Sequence, residues 1–331
     1  AAAGHHPDRE RQDQGGGRPR LRPAHRPGHQ ARGSSGVGDS SRLDRSVPAG
    51  STSGARNSVA GRGPEQAVTA VLAAEGLHKS FGGVRALDGC CVEVPEGSIS
   101  GLIGPNGSGK TTLFNVMTGY ERVGEGEVTF SGRRITNASP DRIFGLGLGR
   151  TFQLTRIFAR LTVLENMLVA TQRRHGMIRN LLARTGSAGE QRRAMELLEF
   201  VGIARLAADP AGNLSYGQRK LLELAYVLVA DPAVMLLDEP AGGVNPSLII
   251  HIGERIRDLN REGRTFLVVE HNMEFVMGLC HQVTVMHQGN AILSGRPDAV
   301  RSDPRVLDAS LGTGLEDEDE DEDEDGLEEI R

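Results

Sequence analysis

The sequence predicts an α/β fold, and three stretches carry that prediction. Residues 98–103 form a short apolar run that passes through a glycine-rich loop into a helical pattern stopping at Gly119. Residues 233–237 form a second apolar run, with the length of a buried parallel strand, and it ends in Asp238-Glu239. Residues 265–270 form a third, which ends in His271. Acids at the C-terminal end of such a strand project toward a ligand crevice.

The loop after the first run reads Gly104-Pro105-Asn106-Gly107-Ser108-Gly109-Lys110-Thr111 and fits G-x-x-x-x-G-K-[ST], the phosphate-binding loop. Strand, glycine loop and helix N-terminus are the context this motif needs. Glycines let the backbone N–H groups turn inward around phosphates, and the dipole of the helix over 112–117 adds positive potential. Lys110 would reach the β- and γ-phosphates, and the Thr111 hydroxyl would ligate Mg²⁺. A glycine-rich turn that fits the pattern by chance is the bland alternative, and the flanking strand and helix oppose it.

The chain has 331 residues and 38% hydrophobic content, enough for one large α/β domain or two smaller ones. Its net charge of −5 is unevenly spread. Residues 1–70 hold 11 Arg, no Lys and 6 acids, whereas residues 315–331 hold 12 acids and one Arg. The middle, with 26 basic and 25 acidic residues, is nearly neutral, which argues against nucleic acid as its main partner. The 3 cysteines, Cys90, Cys91 and Cys280, show no C-x-x-C spacing, a pattern that suits a reducing compartment and argues against disulfides or structural zinc. Cys90-Cys91 reads as strand packing rather than a redox site. No run approaches the roughly 18 apolar residues of a membrane span, and the Arg-rich N-terminus lacks the apolar stretch of a secretory signal.

Residues 1–67 are rich in Arg, Gly, Pro, Ser and His, so they are expected to be disordered. Residues 72–81 and 84–94 alternate apolar and polar positions like a two-stranded antiparallel unit turning at Gly82-Gly83. Phe81 ends the first strand, where an aromatic can pack in a core or stack on a purine. Residues 124–130 read as another strand. A glycine-rich approach, 145–149, leads to Arg150-Thr151-Phe152-Gln153; Gln153 offers a donor and an acceptor and can ligate Mg²⁺ or lie at the surface. Residues 161–214 are mostly helical in pattern. The basic stretch there, Arg173, Arg174, Arg179 and Arg184, reads as a solvated face or as a contact surface for a membrane partner.

Leu214-Ser215-Tyr216-Gly217-Gln218 opens another helix that Ser215 can cap, and its N-terminus is a second anion site. Asp238 would hold Mg²⁺ and Glu239 would polarise an attacking water. His271, taken alone, reads as structural rather than catalytic. Residues 283–287 and 291–293 form a hairpin around Gly289-Asn290. The acids 316–325 repel one another and read as a solvated tail.

Taken together, residues 72–312 resemble the nucleotide-binding domain of ABC transporters. The resemblance implies a P-loop NTPase with a mixed sheet core, an antiparallel β subdomain and a helical subdomain, about 155–230, carrying the signature motif. The ATPase domain spans 68–314, flanked by the extension 1–67 and the tail 315–331. Walker A falls on Gly104, Pro105, Asn106, Gly107, Ser108, Gly109, Lys110 and Thr111, with Thr112 beside it; the Q-loop falls on Gln153. The signature falls on 214–218, Walker B on 234–238, the catalytic carboxylate on Glu239, the switch histidine on His271 and the adenine-stacking aromatic on Phe81. Mg²⁺ would be held by Thr111, Gln153 and Asp238. The signature reads L-S-Y-G-Q rather than the commoner L-S-G-G-Q, keeping Ser215 and Gly217, and Asn245 stands where many relatives have Asp.

The stretches 150–153, 161–166, 243–246, 270–273 and 309–312 look like one subfamily, the ATPase subunit of branched-chain amino-acid importers; Ser310 stands where that family has Tyr. That membership implies ATP hydrolysis in a head-to-tail dimer with a second ATPase, where Ser215, Gly217 and Gln218 act on the neighbour's nucleotide. It further implies integral-membrane permease partners, an extracytoplasmic substrate-binding protein, and a place on the cytoplasmic face of the plasma membrane. A urea importer, a lipid exporter, or a soluble ABC ATPase acting on nucleic acid or the ribosome are the alternatives. The last is disfavoured by the single Walker A and the lack of a long heptad run.

Overall fold

The structure is a computed structural model that describes residues 69–151, 157–172 and 187–306. The N-terminal extension, Gln153, Arg173, Arg174, Arg179, Arg184, residues 309–312 and the acidic tail lie outside the described residues.

Two sheets and a helical layer make up the described part. β1 (Ala70–Phe81) and β2 (Val84–Pro95) form an antiparallel hairpin in which Phe81 pairs with Val84, leaving Gly82-Gly83 as the loop. β4 (Glu125–Phe130) and the two-residue β5 (Arg133–Arg134) extend this sheet in the order β2-β1-β4-β5. Along β2, alternation sends Cys90 into the core and leaves Cys91 exposed. Burial pushes the Cys90 thiol up to about 12, as an inert packing residue requires.

The central sheet has six strands in the order β10-β9-β3-β8-β7-β6. They are β3 (Ile99–Ile103), β6 (Leu148–Arg150), β7 (Val234–Asp238), β8 (Thr265–Val269), β9 (Gln282–His287) and β10 (Asn290–Gly295). All neighbouring pairs are parallel except the antiparallel edge pair β9–β10. Parallel strands put their C-terminal ends on one edge, so β3, β7 and β8 deliver the residues that follow them to the same place.

Every residue of β3, β7 and β8 is buried. Such strands read as continuous apolar runs because both faces are covered. Successive side chains divide between two cores. Met235, Leu237, Phe266 and Val268 face a helical layer. Val234, Leu236, Leu267 and Val269 face a core shared with β1, β2, β4 and α1 (Lys110–Met117). Each large apolar side chain so enclosed contributes roughly 1.5–3 kcal/mol.

The helical layer contains α3 (Val163–Gln172), α4 (Ala188–Phe200), α5 (Tyr216–Leu228), α6 (Pro246–Arg261) and α7 (Met273–Leu279). α2 (Pro140–Gly145) lies before β6, and α8 (Pro297–Arg301) follows β10. The apolar positions read on α5 (Leu221, Leu222, Leu224, Ala225, Val227 and Leu228) are all in the helical core.

Two expectations shift. The β9–β10 turn is Gln288-Gly289, with φ 46° and 80°, one residue earlier than expected, and Asn290 opens β10 opposite His287. Two successive positive φ values suit the twist of a two-residue hairpin. The expected glycine-rich approach becomes an edge strand, β6, pairing in parallel with β7.

Candidate functional site

The loop between β3 and α1 is shaped by close approach. Gly104 and Gly109 have φ of 149° and 100°. A Cβ on Gly104 would overlap the carbonyl oxygen of Met286, and one on Gly109 that of Ala86. The loop is thus pressed between β9 and β2, where only glycine fits. The Ser108 carbonyl accepts the Gly289 amide at 3.0 Å, which pins the loop to the β9–β10 turn. Gly109 is the N-cap of α1 and supplies no side-chain cap, so the first-turn amides keep their capacity for an anion.

Lys110 is 6% exposed. Its Nζ donates to the carbonyls of Gly104 at 2.7 Å and Pro105 at 2.8 Å, and to Ser108 Oγ at 3.4 Å. Burial pulls its pKa down, while Glu239 and Asp238 push it back up. One cation and two carboxylates therefore feel one another across the end of the sheet.

Asp238 ends β7 and is 4% exposed. Its Oδ2 accepts from Arg150 Nη2 at 3.0 Å, and its amide donates to Thr151 Oγ1 at 3.0 Å. Arg150 also donates from Nη1 to Asn115 Oδ1 at 2.7 Å and Thr118 Oγ1 at 3.2 Å, and its guanidinium lies 5.4 Å from the Phe114 ring centroid. The chain just before Gln153 thus brackets Asp238 and braces it against α1.

Glu239 follows with φ 48°, a backbone region that side-chain-bearing residues rarely adopt. Its amide donates to Val269 O at 2.9 Å. His271 Nε2 lies 3.1 Å from Glu239 Oε1. Both side chains are partly exposed, which leaves the pair open to a substrate on one side. Between them in the fold is Glu270, 2% exposed, whose carboxylate holds the Ala241 and His271 amides.

Lys110, Asp238, Glu239 and His271 are therefore gathered at one edge of the central sheet, with Thr111 exposed and Thr112 half-buried on the first turn of α1. Pro105 is half-buried in the loop, and Asn106 and Gly107 are exposed at its tip. Phe81 ends β1 and is 46% exposed, and Lys79 Nζ sits 4.7 Å from its ring centroid. Ser215, Gly217 and Gln218 are elsewhere, at the start of α5 in the helical layer. Ser215 and Gln218 form a reciprocal capping box: Ser215 Oγ accepts the Gln218 amide at 3.3 Å, and the Ser215 amide donates to Gln218 Oε1 at 2.9 Å. Gly217 lies against the Leu248 side chain of α6, whose Cδ2 would have to move to admit a Cβ. Gln153 lies outside the described residues.

Two residues of the site have roles that sequence reasoning does not assign. Arg150 and Glu270 both sit in quoted motifs, but their partners Asp238 and Ala241 are 88 and 29 positions away. The usable signal is a charged residue directly beside a strand end, where full burial demands a partner.

Residues 87–242 match the family model described as ABC transporter. The chain is 37% identical over 249 residues to the high-affinity branched-chain amino acid transport ATP-binding protein LivG of Salmonella typhimurium, covering 73% of this chain and 98% of that protein. To the probable branched-chain amino acid transport ATP-binding protein LivG of Archaeoglobus fulgidus it is 38% identical over 245 residues, covering 73% and 95%. Among solved structures it is similar to a nucleotide-free ATP-binding cassette from an ABC transporter, with TM-score 0.67, 35% identity and coverage of 73% and 99%. The ADP conformation of an ATP-binding cassette of an ABC transporter gives TM-score 0.67, 36% identity and coverage of 74% and 99%.

Proposed function

The chain is a member of the ABC transporter family, and we propose that it is the ATP-hydrolysing subunit of an importer for branched-chain amino acids. The observation that carries this reading is the convergence of Lys110, Asp238, Glu239 and His271 on one sheet edge beside the glycine loop. Its relatives with the same span are named for branched-chain amino acid transport, which supports the substrate class.

The α1 amides and Lys110 bind the β- and γ-phosphates of ATP, Lys110 exchanging loop carbonyls for phosphate oxygens. Phe81 offers its exposed ring to adenine. The Thr111 hydroxyl and Asp238 carboxylate are hard oxygen donors, the set that Mg²⁺ takes together with nucleotide phosphates; Gln153 adds a third by family resemblance. Bound there, Mg²⁺ neutralises charge on the phosphoryl oxygens. Glu239 orients a water and accepts its proton, and His271 holds Glu239 from one side while facing the γ-phosphate. Water attacks the γ-phosphorus, the bond to the bridging oxygen breaks, and ADP and inorganic phosphate result.

Ser215, Gly217 and Gln218 stand at the start of α5, and in the family scheme they do not serve this chain's own nucleotide. They act instead on the nucleotide of a second ATPase, self or paralogue, in a head-to-tail dimer. Residues 68–314 form the ATPase domain, with 155–230 as its helical part. No helix among the described residues is long and apolar enough to cross a membrane. Separate permease subunits supply the pathway and hold the chain at the cytoplasmic face, and an extracytoplasmic binding protein delivers the amino acid.

Two variants test the reading. Lys110→Ala loses ATP affinity by calorimetry, and unchanged binding contradicts the role of Lys110. Glu239→Gln retains ATP binding but releases phosphate at least about 100-fold more slowly, given typical general-base contributions; wild-type turnover sinks the assignment of Glu239. Leucine-stimulated hydrolysis by the full chain with its co-purified permeases checks the substrate class.

A further inference from the structure

We propose that Glu270 is a positioning residue: its buried carboxylate clasps the loop after Glu239 to the loop of His271, so that the two hydrolytic side chains meet in one geometry. The inference rests on the reading of Glu239 and His271 as the hydrolytic pair.

Glu270 follows the last residue of β8 and is 2% exposed. Its Oε1 accepts the Ala241 amide at 2.5 Å, and its Oε2 accepts the His271 amide at 3.2 Å. The Asn272 amide adds a further interaction that draws the Glu270 pKa down. Amides from two segments thus converge on one side chain, one on each carboxylate oxygen. The segments are linked a second time by Glu239 N to Val269 O at 2.9 Å, and Gly242 N closes a turn onto Glu239 O at 3.2 Å. The result is that Glu239 Oε1 stands 3.1 Å from His271 Nε2.

A carboxylate here is otherwise unfavourable. Burial raises its pKa most, and the nearby Glu239 charge raises it further, against three amides that lower it. A packing role alone would be met by an apolar side chain at no such electrostatic cost. What a carboxylate supplies is acceptor capacity on both oxygens with no donor. Glutamine, of the same size, turns an NH₂ toward one of the amides and opens half of the clasp. The tethered loop continues into Gly243, which packs against the Tyr216 ring, and into Leu248, which packs under Gly217. A shift at Glu270 is therefore felt at the Glu239–His271 pair first and at the start of α5 second.

The experiment compares the full chain and its variants Glu270→Gln, Glu239→Gln, His271→Ala and Glu270→Gln/His271→Ala by steady-state phosphate release and by ATP calorimetry. A displacement of about 1 Å at reacting groups can cost on the order of 100-fold, so Glu270→Gln should lower kcat by at least about tenfold with KM and ATP affinity kept. A purely structural loss would instead lower nucleotide affinity along with rate. In the His271→Ala background the same substitution should cost little more, because the geometry it protects is already gone. If Glu239→Gln and His271→Ala both turn over like wild type, the reading of the pair fails. If they are impaired but Glu270→Gln keeps wild-type kcat, or costs its full factor again in the His271→Ala background, the clasp is refuted. Should Glu270→Gln not fold, Glu270→Asp, which keeps the charge but shortens the reach, is read by the same criteria.

Discussion

Arg150 ties the site together without facing a substrate in the proposed mechanism. Its guanidinium joins Asp238, Asn115 and Thr118, so it links the end of β7 to the helix that follows the phosphate loop. Both members of the Arg150–Asp238 pair are nearly inaccessible, at 7% and 3% side-chain exposure. Removing one partner from such a pair strands a buried charge and typically costs about 3–5 kcal/mol. Arg150→Met should lose stability of that order in urea unfolding, and Arg150→Met/Asp238→Asn should regain part of it. A single variant as stable as wild type would show that the pair does not hold the site. This interaction was not legible in the sequence, since its partners lie 35, 32 and 88 positions away. Asp238 and Glu239 were legible because they stand directly after an apolar run, whereas His271 entered the site only through the family resemblance; parallel pairing of β7 and β8 brings the ends of both strands together.

At the scale of elements, α5 serves two purposes with one residue. Ser215 caps the helix in a capping box, and in the family scheme it also meets a neighbour's γ-phosphate. The two are separable. Ser215→Asp caps about as well as serine, so stability should stay within about 0.5 kcal/mol, whereas Ser215→Ala should lose about 1 kcal/mol. The aspartate, however, places negative charge against phosphate, so ATP hydrolysis should fall sharply in Ser215→Asp with its melting temperature kept. Equal hydrolysis by wild type and Ser215→Asp would remove Ser215 from the phosphate site.

The elements readable from sequence were those with a strong pattern: the apolar strands β3, β7 and β8, the β1–β2 hairpin and the capped α5. β5 and β6 escaped because strands of two and three residues at sheet edges carry no periodicity. α6 was not expected, although Ile252, Ile256 and Leu259 are buried on it at helical spacing and Asn245 accepts from the Leu248 amide at 3.0 Å as its N-cap. The β9–β10 turn slipped by one because Asn290 is a common turn residue, while the turn actually places Gln288 at φ 46°.

For the whole molecule, the proposed function makes the chain half of a shared machine. Lys110, Asp238, Glu239 and His271 crowd the end of the central sheet, and Ser215 and Gln218 stand at the start of α5 with their hydrogen bonds turned to their own cap. Association should therefore depend on ATP. Blocking hydrolysis should trap the closed pair, as closure is driven by contacts that only bound nucleotide completes. The mass of the Glu239→Gln chain in light scattering, with and without ATP and Mg²⁺, bears on this claim most directly. The expected result is a monomer without nucleotide and a dimer with it, while Glu239→Gln/Ser215→Arg stays monomeric in both. A Glu239→Gln chain that binds ATP yet keeps the mass of one copy, or a double variant that dimerises as fully, would contradict it.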